Sequence, residues 1–275
     1  MNIKIMGKFS NKSLTTFSKL KEYRVCSILI MKVKHVTIFA TSIISLAVIA
    51  IFCLPSLPFA KSQPEAPLPV ILIHGYRQNE SVWDAWKQLL EDDRVSYLSV
   101  TFHQSDDDCG SAADHAKELN DIVLDVLRET DRDRVNIVGH SKGGLDARLY
   151  LQGGTDNVAN LIMIGTPNAG SPLAEIYNDT ECTPAASDLK PGSPPTKALQ
   201  NVNTDYYTIA GNWVWWWYWL PVEGNLQIDG PDDGLVPVSS VESKLYFHPL
   251  GQTPHSHNLL LGSQEYKLAR DILVK

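Results

Sequence analysis

A chain of 275 residues, 44% hydrophobic and 20% charged, has enough apolar side chains for one large core. Its 24 basic and 31 acidic residues give a net charge of −7, unevenly spread: residues 1–60 hold eight of the basic and one of the acidic residues, leaving 16 against 30, or −14, in the remainder. That remainder has no basic face to meet phosphates, which excludes nucleic acid as a partner and tolerates neutral or cationic substrates.

Residues 1–34 are polar and basic, either a tail or a mis-assigned start ahead of a signal n-region. The uncharged run VTIFATSIISLAVIAIFCL at 36–54 has the length of a membrane span. Residues 35–60 read as a secretion signal, with Ala60 before Lys61, or as a retained anchor with its basic flank in the cytoplasm. A start at Met31 gives an ordinary signal peptide. Both readings put the rest of the chain outside the cytoplasm, secreted or membrane-anchored. Residues 61–68 are a linker, and 69–275 form one domain. Cys26 and Cys53 lie in the leader, and an exported domain with Cys109 and Cys182 reads as holding one disulfide, two unrelated buried thiols being the alternative. Without a CxxC pair or HExxH, zinc is unsupported. The acidic loop 106–108 reads as solvated, so no metal and no cofactor is expected.

Within the domain, apolar runs alternate with helical spacing. VILI at 70–73 is a central strand emptying at His74-Gly75. Val82, Trp83, Trp86, Leu89 and Leu90 place a helix over 81–90 with Ser81 as its cap. A strand is expected over 95–102 and a long helix over 112–128, carried by Leu119, Ile122, Val123 and Val126. RVNIV at 134–138 is a strand running into Gly139, and 145–151 a helix stopping at Gly153-Gly154. NLIMI at 160–164 is the next strand. The proline-rich stretch 167–204 breaks this rhythm and reads as an insertion with at most short helices. Strands at 206–210 and 243–247 and a helix at 264–273 complete the pattern, which is that of an α/β domain with a mostly parallel sheet covered on both faces.

The sharpest feature is RVNIVGHSKGGLDARLYL at 134–151. It sets Gly139, His140, Ser141, Lys142 and Gly143, the G-x-S-x-G pattern, between a strand and a helix. A serine at so tight a turn sits in strained backbone, and glycines two before and two after it prevent collisions. The turn raises Oγ above the sheet, and the helix start puts a positive dipole end where negative charge develops. A phosphate-cradling loop would need GxxxxGK[ST], which is absent.

With HGY at 74–76, IGTPNAGSPLA at 164–174, DGLVPVSS at 233–240 and HNLLLGS at 257–263, this motif makes the chain resemble the α/β-hydrolases, and among them the bacterial-type lipases and esterases. The resemblance spans roughly 68–273 with the motifs in the family's order. It implies an α/β-hydrolase fold with a cap or lid insertion, and attack by serine on an ester carbonyl, an acyl-enzyme and hydrolysis by water. The family's chain order is nucleophile, acid, base. Ser141 is then the nucleophile. The carboxylate before Gly-Leu-Val is Asp233, with Asp232 as alternate, and the histidine opening the last apolar stretch is His257, with His255 as alternate. Backbone N–H groups of Tyr76 and Lys142 would form the oxyanion hole. His74 would brace the oxyanion loop, and the Lys142 ammonium would orient an acyl chain or pair with an acid.

A lipase or carboxylesterase is the first functional reading. A thioesterase, amidase or lipid acyltransferase would use the same triad, since only leaving group and acceptor change. A non-catalytic binding protein on this scaffold would not need all three groups. In GNWVWWWYWL at 211–220, neither strand nor helix spacing can bury every ring on one face. Trp215, Trp216 and Trp217 are expected either in a buried hairpin or on an apolar rim that meets lipid, so the partners expected are a lipid or other ester substrate and, through this loop and the N-terminal segment, a membrane.

Overall fold

The computed structural model describes residues 3–4, 66–177, 179–213 and 228–275. They belong to one unit, Met1–Met6 with Ala66–Lys275. The apolar run 36–54, Cys26 and Cys53, and Trp215, Trp216 and Trp217 lie outside the described residues. Among those described, no helix is long and apolar enough to cross a membrane.

The strands are β1 (Val70–Ile73), β2 (Tyr97–Ser99), β3 (Val135–His140), β4 (Val158–Ile164), β5 (Asp205–Gly211) and β6 (Phe247–Thr253). They form one parallel sheet in the order β2-β1-β3-β4-β5-β6. The helices between and after them are α1 (Asp84–Asp92), α2 (Ala112–Thr130), α3 (Lys142–Leu151), α4 (Leu173–Ile176), α5 (Thr183–Asp188), α6 (Val238–Val241) and α7 (Ser263–Leu273). Side chains alternate across the sheet. On one face Ile71, Ile73, Ile137, Leu161 and Met163 pack with Leu119, Val123 and Val126 of α2 and Leu151 of α3. On the other, Val70, Leu72, Val138 and Ile162 pack with Trp86 and Leu90 of α1 and Tyr266, Ala269 and Leu273 of α7. Both faces are therefore covered, which is why VILI and VNIVGH are buried throughout.

This order creates the site. The chain leaves β1 toward β2 on one side and returns to β3 on the other, so α1 and α3 lie on opposite faces. A crevice opens between them at the carboxyl ends of β1 and β3. The loop at 74–78 and Ser141 both stand there.

Three local expectations are corrected. The helix expected at 81 starts as a single 3-10 turn, Glu80–Trp83, capped by Asn79 rather than Ser81: Asn79 Oδ1 accepts from Ser81 N at 3.0 Å. The strand expected over 95–102 pairs only at Tyr97–Ser99. Val100 N still donates to Leu72 O of β1 at 2.9 Å, and from Phe102 onward the amides leave the sheet: Phe102 N donates to Asp107 Oδ1 (2.7 Å), His103 N to Glu118 Oε1 (2.6 Å) and Ser105 N to Glu118 Oε2 (2.8 Å). The final strand is Phe247–Thr253, not 243–247. Leu245, part of the apolar signal there, is fully exposed. The true strand contains Pro249 and a register shift, both tolerated because its outer side pairs with no described strand.

The insertion at 167–204 carries α4, α5 and the 3-10 turn Pro195–Lys197. Buried Arg148 of α3 ties it down, donating to Asn168 O and Oδ1 (both 3.1 Å) and to Ala198 O (3.0 Å). The Asp188 carboxylate accepts from Ala112 N, the first amide of α2, at 2.6 Å. A disulfide joins Cys182 to Cys109, with the Cα atoms 4.7 Å apart.

Candidate active site

Ser141 sits between β3 and α3 at φ 52°, ψ −122°, a conformation that side chains rarely adopt. Its N–H donates to Ile164 O at 2.9 Å, so β4 holds the turn from the side. A Cβ at Gly143 would lie 2.4 Å from His74 O, and one at Gly139 would lie 2.5 Å from Gly144 N. Both glycines are required by close approach, and at Gly143 it is the loop after β1 that comes near.

Asp233 lies beyond β5 and His257 beyond β6, both buried. His257 Nδ1–H donates to Asp233 Oδ2 at 2.7 Å, and His257 N donates to the Asp233 carbonyl at 2.8 Å. The other carboxylate oxygen, Oδ1, accepts from Leu235 N (2.9 Å) and Val236 N (2.7 Å). This carboxylate is thus fixed from both sides, and with Nδ1 engaged the histidine turns Nε2 to its remaining surroundings. Ser141 and His257 line the same cavity of about 250 Å³.

The alternates have other partners. Asp232 Oδ1 accepts from Gly234 N at 2.6 Å, and burial raises its carboxyl above the usual range. His255 Nδ1–H donates to buried Glu265 Oε1 at 2.6 Å, joining its loop to α7. His74 places Nε2 2.9 Å from Asp107 Oδ1 and Nδ1 3.1 Å from Gly75 O, so Asp107 braces the loop after β1 and is not simply solvated.

Lys142 opens α3 with its amide beside Ser141, and its side chain is buried. The ammonium donates to Asp146 Oδ1 at 2.7 Å, while His115 Nδ1 lies 2.8 Å from Asp146 Oδ2. Burial would raise Asp146, but Lys142 and His115 hold it below its ordinary value. Of the two uses expected for this lysine, the structure thus gives the ion pair. Tyr76 lines the cavity, and its hydroxyl donates to Asp179 of the insertion. Arg77 donates to the same carboxylate at 2.9 and 3.0 Å, and these partners hold Asp179 well below the usual range.

Pro167, Leu173, Ala174, Ala186 and Leu189 of the insertion form much of the cavity wall. Ile176, Tyr177, Leu235 and Trp213 are exposed. Trp213 N donates to Asp232 O at 2.7 Å, so this first tryptophan of the run is fastened to the loop that carries Asp233. Among the described residues no group of three or more His, Cys, Asp or Glu side chains is arranged to hold a metal ion. Sequence reasoning missed Arg148, Glu118, His115, Gln78 and Glu265. For Arg148 and Glu118 a signal existed: Arg148 puts a charge in a helix buried on nearly all sides and Glu118 one on the core-facing stripe of an amphipathic helix, and a buried charge demands partners.

A parallel sheet with a serine elbow after β3, an acid after β5 and a histidine after β6 defines an α/β-hydrolase. Residues 69–218, more than half of the chain, match the family described as palmitoyl protein thioesterase, and the chain belongs to that family. Two triacylglycerol lipases, from Pseudarthrobacter phenanthrenivorans and Burkholderia plantarii, are each 33% identical over 119 residues. The match covers 40% of this chain but 36% and 32% of theirs, so it spans about a third of those relatives. The mature Bacillus licheniformis lipase BlEst2 superposes with a TM-score of 0.64 at 21% identity, over 78% of this chain and 95% of that one. A metagenomic carboxyl esterase gives 0.55 at 19%, over 72% and 68%. These solved structures share the fold.

Proposed function

We propose that this chain is an extracytoplasmic serine ester hydrolase that works through an acyl-enzyme on Ser141. The observation that carries the reading is the buried Asp233–His257 hydrogen bond at the edge of a cavity that also holds Ser141. Ser141 Oγ attacks the ester carbonyl while His257 Nε2 takes its proton, and Asp233 stabilises the imidazolium. The tetrahedral oxygen receives hydrogen bonds from the backbone N–H groups of Lys142 and Tyr76, each worth roughly 3 kcal/mol in the transition state. Collapse expels the alcohol, which takes the proton from His257. Water, deprotonated by the same histidine, then releases the acid and frees the serine.

The apolar wall supports an acyl group as the part bound in the cavity, and the exposed residues around it, with Trp215, Trp216 and Trp217 following Trp213 in the sequence, support contact with lipid. The leader and the disulfide support export or outward anchoring. A second reading, thioester cleavage, is favoured by the family match; the steps are the same with a thiol as leaving group.

The test is a panel of 4-nitrophenyl esters from acetate to palmitate, with an acyl thioester alongside, on the wild type and on Ser141→Ala, His257→Ala and His255→Ala. The expected result is ester turnover that Ser141→Ala and His257→Ala abolish and His255→Ala largely keeps. Undiminished turnover in Ser141→Ala would end the proposal. Faster turnover of the thioester than of the matching oxygen ester would favour the second reading.

A further inference from the structure

His140 and Gln78 belong to none of the roles assigned above, yet between them they meet three loops of the site. His140 is fully buried, one residue before the nucleophile. Its Nε2 lies 3.1 Å from the carbonyl oxygen of His257, and its Nδ1 lies 2.9 Å from Gln78 Oε1. That same Oε1 accepts from Gly75 N at 3.0 Å. A Cβ at Gly75 would fall 2.8 Å from Ser141 Cβ, 2.9 Å from Gln78 Oε1 and 3.2 Å from His140 Nδ1, so these groups are in direct packing contact. One imidazole and one amide therefore bridge the base loop, the elbow and the loop that carries the Tyr76 N–H.

We propose that His140 and Gln78 are positioning residues, which act through the His257 carbonyl and the Gly75 amide to set the spacing between the base and the oxyanion loop; this rests on the reading of Ser141, His257 and Tyr76 given above. Burial, and then the neighbouring His257 charge, hold His140 well below the ordinary histidine value. The ring is thus neutral and carries one proton, so it donates to one of the two acceptor oxygens that face it, His257 O or Gln78 Oε1, and packs against the other. A neutral ring serves this place better than a cation would, because His257 must itself become positive during the reaction, with the ring centroids only 4.9 Å apart. The carbonyl and the amide that the pair holds are backbone groups of the base loop and the oxyanion loop, so a small error at either is transmitted to the reacting atoms. Misplacing a catalytic group by about 1 Å can lower a rate by about a hundredfold.

The test is a double-mutant cycle with His140→Phe, which keeps a ring without nitrogen, and Gln78→Met, which keeps length without the amide. For each variant kcat and KM on a short soluble ester, the rate of fluorophosphonate labelling of Ser141 and the melting temperature are measured. Each single variant is expected to lose about tenfold in kcat and in labelling rate with KM within about twofold. The double variant should stay near the single ones and not fall by about a hundredfold, since both changes break one link. Multiplying effects, a loss confined to KM, or full kcat in both single variants would overturn the inference. If His140→Phe does not fold, Gln78→Met decides by itself: a tenfold lower kcat at unchanged melting temperature supports the link and full kcat refutes it. Ser141→Ala runs in parallel. Activity surviving in that variant would count against the serine mechanism, whereas a dead Ser141→Ala with fully active His140 and Gln78 variants would count against positioning alone.

Discussion

Every imidazole packed into the site has a defined oxygen partner, and for His74 that partner carries a charge. Burial by itself would lower His74, but the hydrogen bond to Asp107, helped by the Gly75 carbonyl, outweighs it and holds the imidazole above its ordinary value. Burial would likewise raise Asp107, but His74 and the Phe102 amide hold it down. A raised histidine contributes stability that is complete below its unfolded value of about 6.5 and is lost as pH rises through the folded value. A depressed carboxyl contributes above its unfolded value of about 3.9 and loses this as pH falls through the folded value. The pair is therefore most stabilising between about pH 4 and 6.5. Asp107→Asn is expected to lower the urea midpoint more at about pH 5.5 than at about pH 8.5. Equal losses at the two pH values would contradict this assignment.

At the scale of elements, the insertion is wall as much as lid. Arg148 holds its two ends, Asp188 reaches α2, and the disulfide closes a loop with a sequence separation of 73. Closing a loop of that size stabilises by about 4 kcal/mol in the chain-entropy account. Cys109→Ala/Cys182→Ala should thus unfold at clearly lower urea than the oxidised wild type, and addition of reductant should move the wild type but not the variant. These ties also mark where sequence reading stops. The strands and long helices were legible because VILI, RVNIV and the α2 spacing are local periodic patterns. The elbow was legible because its glycines and serine are neighbours in the chain. The contact of Ala112 N with Asp188 is not local, since 76 residues separate its partners, and a proline-rich composition does not reveal it. The final strand was misread because apolar content at 243–247 outweighed an edge strand that tolerates Pro249.

For the whole molecule, the fold class was readable, because five short motifs recur in one order along nearly the full domain, and the roles proposed for Ser141, Asp233 and His257 rest on that same order. Which histidine faces Asp233 was a matter of spacing between His255 and His257, and only the packing of α7 around Glu265 separates them. The aromatic run that begins at Trp213 is the part of the sequence proposed to meet lipid. Trp215→Ser/Trp216→Ser/Trp217→Ser is expected to keep turnover of a soluble short ester while lowering co-sedimentation with neutral phosphatidylcholine liposomes and turnover of long-chain esters. Loss of both activities together, or of neither, would remove the lipid-facing assignment.

The backbone at Ser141 carries a further consequence. Its positive φ is paid at all times, in the resting protein as well as during turnover, because the β3–α3 turn and the Ile164 carbonyl hold it there. Glycine would relax that position, so under the proposed mechanism the most stable sequence for this turn is not the one that does the chemistry. Selection for robustness and selection for chemistry therefore pull in opposite directions at one residue. Laboratory evolution that screens for heat tolerance without screening for turnover should drift toward losing Ser141, the proposed nucleophile.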